Sequence, residues 1–175
     1  MCWLCGSAYQ PTVTTCDDCG VALLLDDDRV GPTADQRRVR ELADTHLTRR
    51  ARDRVRGALA ALPDVLVDGE SVLWLSDAQH RREPGVLAIT TQALCWVPAD
   101  EALEAGAIAY DTVETVETWP GNGGQVRVTT HVDLHLFNEV GTRVWVDQFG
   151  TVLRAAVVSI PEARALADGY DTRAG

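Results

Sequence analysis

Four cysteines crowd into the first 19 residues, and their spacing constrains the chain more than any other feature. They stand as Cys2-Trp3-Leu4-Cys5-Gly6 and Cys16-Asp17-Asp18-Cys19-Gly20, the pattern C-x2-C-x10-C-x2-C with glycine after each pair. Two thiolates three positions apart can grip one metal from a tight turn. The glycine that follows supplies backbone angles that aim amide N–H groups at the sulfurs. Two such turns present four sulfurs as a tetrahedron, the geometry of a closed structural zinc site. So short a segment cannot bury enough apolar surface to fold without its metal.

Competing chemistries fit less well. No secretory leader is evident, which disfavours disulfides. Neither C-x-x-C pair lies in a βαβ context, as a redox motif would. An iron–sulfur cluster uses the same four ligands and stays open at this point. The stretch Cys2–Leu25 resembles the short zinc ribbons found near the N-termini of many bacterial proteins, in which C-x-x-C-G knuckles flank a polar hairpin. The resemblance implies one structural Zn2+ held by Cys2, Cys5, Cys16 and Cys19. It does not specify a partner, because such ribbons bind proteins, DNA or RNA, or cap a fold.

The remaining chain is a globular sequence. Of 175 residues, 46% are hydrophobic, too many for a disordered polymer. No apolar run approaches the length of a membrane span, and a soluble cytoplasmic protein is expected. Every basic residue is arginine, as a GC-rich coding bias produces. Charge is segregated within the net −10. Residues 1–34 carry one arginine against five aspartates, and residues 35–62 carry eight arginines against four acids. Residues 63–175 carry seven arginines against seventeen acids. The whole chain lacks the basic footprint of a nucleic-acid binder, although its second segment has one.

Residues 26–34, an acidic run followed by Gly31-Pro32, read as a linker. An amphipathic helix is expected over 35–62, capped by Thr33 or Asp35 and closed by Pro63. Val39, Leu42, His46/Leu47, Val55, Leu59 and Leu62 form its apolar stripe. Arg49, Arg50, Arg52 and Arg54 stand among the arginines of the opposite face. That face reads as a solvated surface, a contact for an acidic protein, or a site for nucleic acid or anionic membrane. Asp44 and Asp53 interrupt it, and no aromatic residue interleaves to stack on bases.

From Val65 the apolar period changes to two. Strands are expected at Ser71–Asp77, Pro84–Thr91, Ala93–Pro98, Ala107–Tyr110, Thr112–Trp119, Gln125–Phe137 and Thr142–Gln148. Gly121–Gly124 and Asn138–Gly141 read as hairpin turns. A helix follows over Phe149–Ile160, and residues 168–175 read as a flexible tail. Cys95, within an apolar run, reads as a buried inert thiol. The fold class is therefore α+β: a zinc ribbon, a linking helix, then a bent seven-stranded antiparallel sheet or partly open barrel capped by a C-terminal helix.

Within residues 64–167 the run Gly85-Val86-Leu87-Ala88-Ile89-Thr90-Thr91-Gln92-Ala93-Leu94-Cys95-Trp96-Val97 is similar to the second hairpin of bacterial pleckstrin-homology-like domains. Ala107–Val116 is similar to their next segment, and Asp68–Val72 to the lead-in to their first strand. The resemblance implies a non-catalytic binding module. Where the family often carries arginine before Leu94, this chain has Ala93, so no ligand contact is carried over to that position. Eukaryotic relatives of the fold bind phosphoinositides through a basic loop between the first two strands. Here that loop offers Arg81 and Arg82, beside Glu83.

Catalytic patterns are weak. A strand through His131, Asp133 and His135 would place three ligand-type side chains on one face, but the same alternation is what a half-exposed strand shows anyway. No glycine-rich phosphate loop precedes a helix, and no serine sits in a nucleophile elbow. The expected function is a non-enzymatic interaction or adaptor protein, with a protein partner contacted through Trp3, the arginine face (Arg49, Arg50, Arg52, Arg54), Arg81 and Arg82, or a sheet edge. The alternatives are a nucleic-acid-associated factor using ribbon and arginine helix together, and a peripheral binder of anionic lipid.

Overall fold

The computed structural model describes Cys2 and residues 4–8, 13–21, 23, 33–121, 123–141 and 143–171. Trp3, most of the 26–34 linker and residues 172–175 of the expected tail lie outside the described residues.

After the cysteine segment come three short helices, α1 (Ala34–His46), α2 (Arg49–Arg54) and α3 (Arg56–Val65). The strands are β1 (Val72–His80), β2 (Glu83–Thr90), β3 (Ala93–Pro98), β4 (Gly106–Ala109), β5 (Val113–Trp119), β6 (Gln125–Thr130) and β7 (Leu134–Asn138). Two helices close the chain, α4 (Arg143–Val158) and α5 (Ile160–Asp171). The strands form one antiparallel sheet in the order β4-β3-β2-β1-β7-β6-β5, with β4 and β5 at its ends. Helix α4 touches β1 and β2 in one half and β5 and β6 in the other, so the sheet curls around it. This is the α+β architecture, seven-stranded and helix-capped, that the resemblance to pleckstrin-homology-like domains implied.

The strands β1, β2 and β3 are covered on both faces. Leu87, Ile89 and Leu94 point toward α4 and α5, into a core with Trp74, Phe137, Phe149 and Leu153. Val86, Ala88, Cys95 and Val97 point the other way, against Val39, Leu42, Leu59 and Leu62 of α1 and α3. Double coverage explains why Val86–Ile89 is an unbroken apolar run rather than an alternating one. Each fully buried leucine stabilises this arrangement by roughly 2 kcal/mol.

Several expectations are corrected. The single helix over 35–62 is three helices. Its apolar stripe is buried as expected, but Leu47 adopts an extended conformation. Thr48 then starts a new helix, its Oγ1 accepting from Ala51 N–H at 3.2 Å. A hydroxyl three residues before a helical amide competes with helix continuation. Val55 breaks the helix again, and Pro63 lies inside α3 instead of closing it. The cap at Thr33 forms, completed by the Gln36 side chain reaching back to the Thr33 N–H.

The expected strand Gln125–Phe137 is two strands. Thr130 Oγ1 accepts from Asp133 N–H at 3.0 Å and turns the chain through residues 131–133. The expected strand Thr142–Gln148 belongs instead to α4, and Asn138–Gly141 joins a strand to a helix. Val146 extends the buried stripe of Phe149, Leu153 and Ala156 by one helical turn, and packing against the curled sheet overrides the strand preference of Val and Trp. A further helix, α5, follows α4 and runs to Asp171. Residues 168–171 are thus helical rather than tail; Ala163 and Ala167 are fully packed in the core.

Candidate metal centre

The two cysteine turns are built alike. Gly6 N–H donates to Cys2 O at 3.0 Å and Cys2 N–H to Ser7 O at 2.8 Å. In the second turn Gly20 N–H donates to Cys16 O at 2.7 Å and Cys16 N–H to Val21 O at 2.9 Å. Gly6 (φ 78°) and Gly20 (φ 72°) both occupy the left-handed region, which glycine enters without steric cost. The first cysteine of each turn, Cys2 or Cys16, is buried, over a small apolar cluster with Val21 and Leu23.

All four sulfurs lie within 4.8 Å of one another. Cys2 Sγ and Cys19 Sγ are 3.4 Å apart, and Cys5 Sγ and Cys16 Sγ are 3.6 Å apart. A zinc ion at 2.3 Å from each ligand would space tetrahedral sulfurs by about 3.8 Å, so the donor set suits a single structural Zn2+. The separations are far beyond a disulfide bond, and all five cysteines are thiols. Burial pushes the Cys2 and Cys19 thiols up. Burial also opposes ionisation of Cys5, but hydrogen bonds from the Ser7 side chain and backbone overcome it and bring that thiol down to about 6. Four thiolates around Zn2+ leave a net charge of about −2.

The arginine-rich helices meet that charge. A cleft of about 550 Å³ is lined by Cys5, Cys19 and Ser7 on one side and by Arg40, Arg49, Arg52 and Arg56 on the other. Arg56 Nη1 donates to Asp18 O at 3.1 Å. Arg40 Nη2 lies 2.9 Å from where a Cβ on Gly6 would stand, so a side chain there would collide with it. Spacing in the sequence shows Arg40 and Arg56 only as members of a charged face; nothing local reveals that they clamp the cysteine segment.

The arginines singled out from sequence do not act as one surface. Arg52 is paired with Asp44. Arg54 reaches Asp77 at 2.5 Å and Glu139 at 3.0 Å, both far away in sequence. Arg49 faces the metal cleft, and Arg50 is exposed on α2. Arg81 and Arg82 form a tight turn between β1 and β2, with φ of 53° and 74°. Arg81 borders a second cleft, of about 470 Å³, walled by His80, Trp96, Leu103, Ile108, His135 and Phe137.

The stripe of His131, Asp133 and His135 is not assembled. His131 sits in the β6–β7 turn and pairs with Glu114 of β5 at 2.7 Å. His135 faces the second cleft, 6.1 Å from the His80 ring. Its imidazole is pushed down by burial and by the neighbouring His80 and Arg81, partly offset by Asp133. Among the described residues, the four cysteines are the one cluster placed to hold a metal. Cys95 is buried as expected, and burial together with the Glu70 carboxylate pushes its thiol up to about 11. His46 is packed against Trp74, with ring centres 3.9 Å apart.

The described residues combine a four-cysteine cluster suited to one zinc ion with a seven-stranded antiparallel sheet flanked by helices. No protein-family model matches the chain, and no curated protein matches it. Among solved structures it is similar to the C-terminal domain of an unknown protein from Leishmania infantum, with 20% identity and a TM-score of 0.46. That similarity covers 57% of this chain and 93% of the other. No helix among the described residues is long and apolar enough to cross a membrane.

Proposed function

We propose that the protein is a non-catalytic adaptor that binds another protein through its sheet module, with the zinc knuckle as a structural element docked on α1–α3. The observation that carries this reading is the second cleft. It is a largely apolar hollow beside a strand, β4, that among the described residues has a neighbour on one side alone. Concave apolar sites with a few polar groups, and sheet edges, are where peptides dock.

The nucleic-acid reading is weakened by the pairing of Arg52 and Arg54 within the fold and by the turning of Arg40, Arg49 and Arg56 toward the cysteines. The lipid reading is weakened because Glu83 and Glu104 share the cleft with Arg81. The test is crosslinking followed by purification of the tagged, zinc-loaded protein, beside duplex-DNA titration at several salt concentrations. The adaptor reading expects one stoichiometric protein partner and no salt-dependent DNA complex at physiological salt. DNA binding with a steep salt slope, lost on Arg49→Ala plus Arg50→Ala, would replace it with the nucleic-acid reading.

A further inference from the structure

Both ends of the sheet are exposed edges, but they differ in how they are guarded. Edge strands are commonly protected from unwanted pairing by charged side chains or bulges. The β5 edge has both: Glu114 and Glu117 lie on it, and its register shifts between Val113 and Thr115. The β4 edge is Gly106-Ala107-Ile108-Ala109, with no charge, no proline and an unbroken register against β3. Gly106, Ala107 and Ala109 are exposed.

The face of β4 that meets the core opens into the second cleft. Ile108 pairs with Leu94, and Gly106 with Trp96. The Trp96 indole lies over Gly85, where an added Cβ would come within 2.7 Å of the ring. His80 is fixed behind it by donating from Nδ1 to Leu136 O at 3.0 Å. The far wall is Leu103, 45% exposed despite its size. A strand added beside β4 would direct alternate side chains to the face that carries Ile108, and thus into this hollow. The rim is acidic: Glu83 and Glu104 line the cleft, and Asp100 and Glu101 lie in the same β3–β4 loop, against Arg81.

We infer that the β4 edge and its cleft form a docking site for an extended peptide of a protein partner, which pairs with Gly106–Ala109 and inserts one bulky apolar side chain flanked by Lys or Arg. The site rests on the adaptor reading and names its surface. Main-chain pairing provides affinity, the hollow selects the apolar residue, and the acidic loop selects its basic neighbours.

The test uses full-length, zinc-loaded protein as bait for a random-peptide phage library, followed by amide-shift mapping of the enriched peptides. The expected result is a consensus of an aromatic or large aliphatic residue between basic residues, with shifts centred on Gly106–Ala109. Leu103→Asp, and separately Glu101→Arg with Glu104→Arg, are exposed changes that leave the fold intact; each is expected to weaken binding by at least about tenfold. An acidic consensus, or affinity unchanged in both variants, overturns the site. So does binding to phosphatidylserine vesicles that Arg81→Ala plus Arg82→Ala abolishes. Enriched peptides that shift only the cysteine segment overturn this site and leave the adaptor reading standing. No enriched peptide together with no crosslinked partner ends both.

Discussion

Arg54 Nη2 on α2 lies 2.5 Å from Asp77 Oδ2 on β1, and the same guanidinium reaches Glu139 beyond β7 at 3.0 Å. One side chain therefore ties the arginine-rich helices to strand β1 and to the connection that follows β7. The Asp77 side chain is only 11% exposed, while Arg54 keeps 38%. Removing the arginine strands a nearly buried carboxylate, which is more costly than losing a surface pair. Arg54→Ala is expected to destabilise the protein by about 2 kcal/mol in urea unfolding. Glu139→Gln, at an exposed partner, is expected to cost less than about 1 kcal/mol. Equal effects of the two would show that Asp77 is not the dominant partner.

Metal content is directly measurable. Protein purified under reducing conditions is expected to carry one zinc per chain by elemental analysis. Cys16→Ser, which removes a buried ligand, is expected to abolish stoichiometric binding. A strong chelator is expected to unfold the cysteine segment, since the small cluster around Val21 and Leu23 cannot hold it alone. Protons compete with zinc for thiolates, so metal is released as pH falls. Retention of folded knuckles after complete zinc removal would contradict this account.

The arginine clamp makes a separate prediction. Arg56→Gln removes the hydrogen bond to Asp18 O and one positive charge facing the metal cleft. Zinc loss to a chromogenic chelator is expected to accelerate several-fold, while the thermal transition of the sheet stays nearly unchanged. Arg50→Gln, on an exposed position of α2 outside that cleft, serves as the control and is expected to leave the rate unaltered.

Cys95 sets an alkaline limit. Burial first and the Glu70 carboxylate second push its native thiol from an ordinary 9.0 up to about 11. The native state therefore holds this proton more tightly than the unfolded chain. The resulting stability is complete below pH 9 and is lost as pH rises through about 11, amounting to at most about 3 kcal/mol. Burial of the Tyr110 hydroxyl acts in the same direction. Unfolding free energies at pH 8 and 11 are expected to differ less in Cys95→Ala than in the parent. Below pH 9, Cys95 is also expected to resist a thiol reagent until the protein unfolds.

Backbone crowding gives a fifth test. A Cβ on Gly85 would collide with Val97 O and stand 2.7 Å from the Trp96 ring. Gly85→Ala is expected to cost about 2 kcal/mol and to shift Trp96 fluorescence by displacing the indole. An unchanged spectrum and midpoint would show that β2 and β3 tolerate the extra methyl group.

Local chemistry is legible in the sequence itself. The metal ligands follow from C-x-x-C-G because the turn, the glycine and both sulfurs lie within five residues, so no distant contact is needed to define them. The stripe Val39–Leu62 and the apolar runs of β1 to β3 likewise identify the buried faces, since burial leaves its period in the sequence. What only the tertiary structure decided depends on residues far apart along the chain. Val144 and Trp145 favour a strand locally, yet they lie in α4 because the curled sheet offers a groove for Val146 and Phe149. Leu47 breaks the first helix so that α2 can bring Arg54 to Asp77. The arginines read as one charged face from their spacing, and the fold divides them between a metal cleft, the carboxylates of Asp77 and Glu139, and solvent. Charge pairing acts through space, and a one-dimensional pattern cannot record which partner lies across the gap.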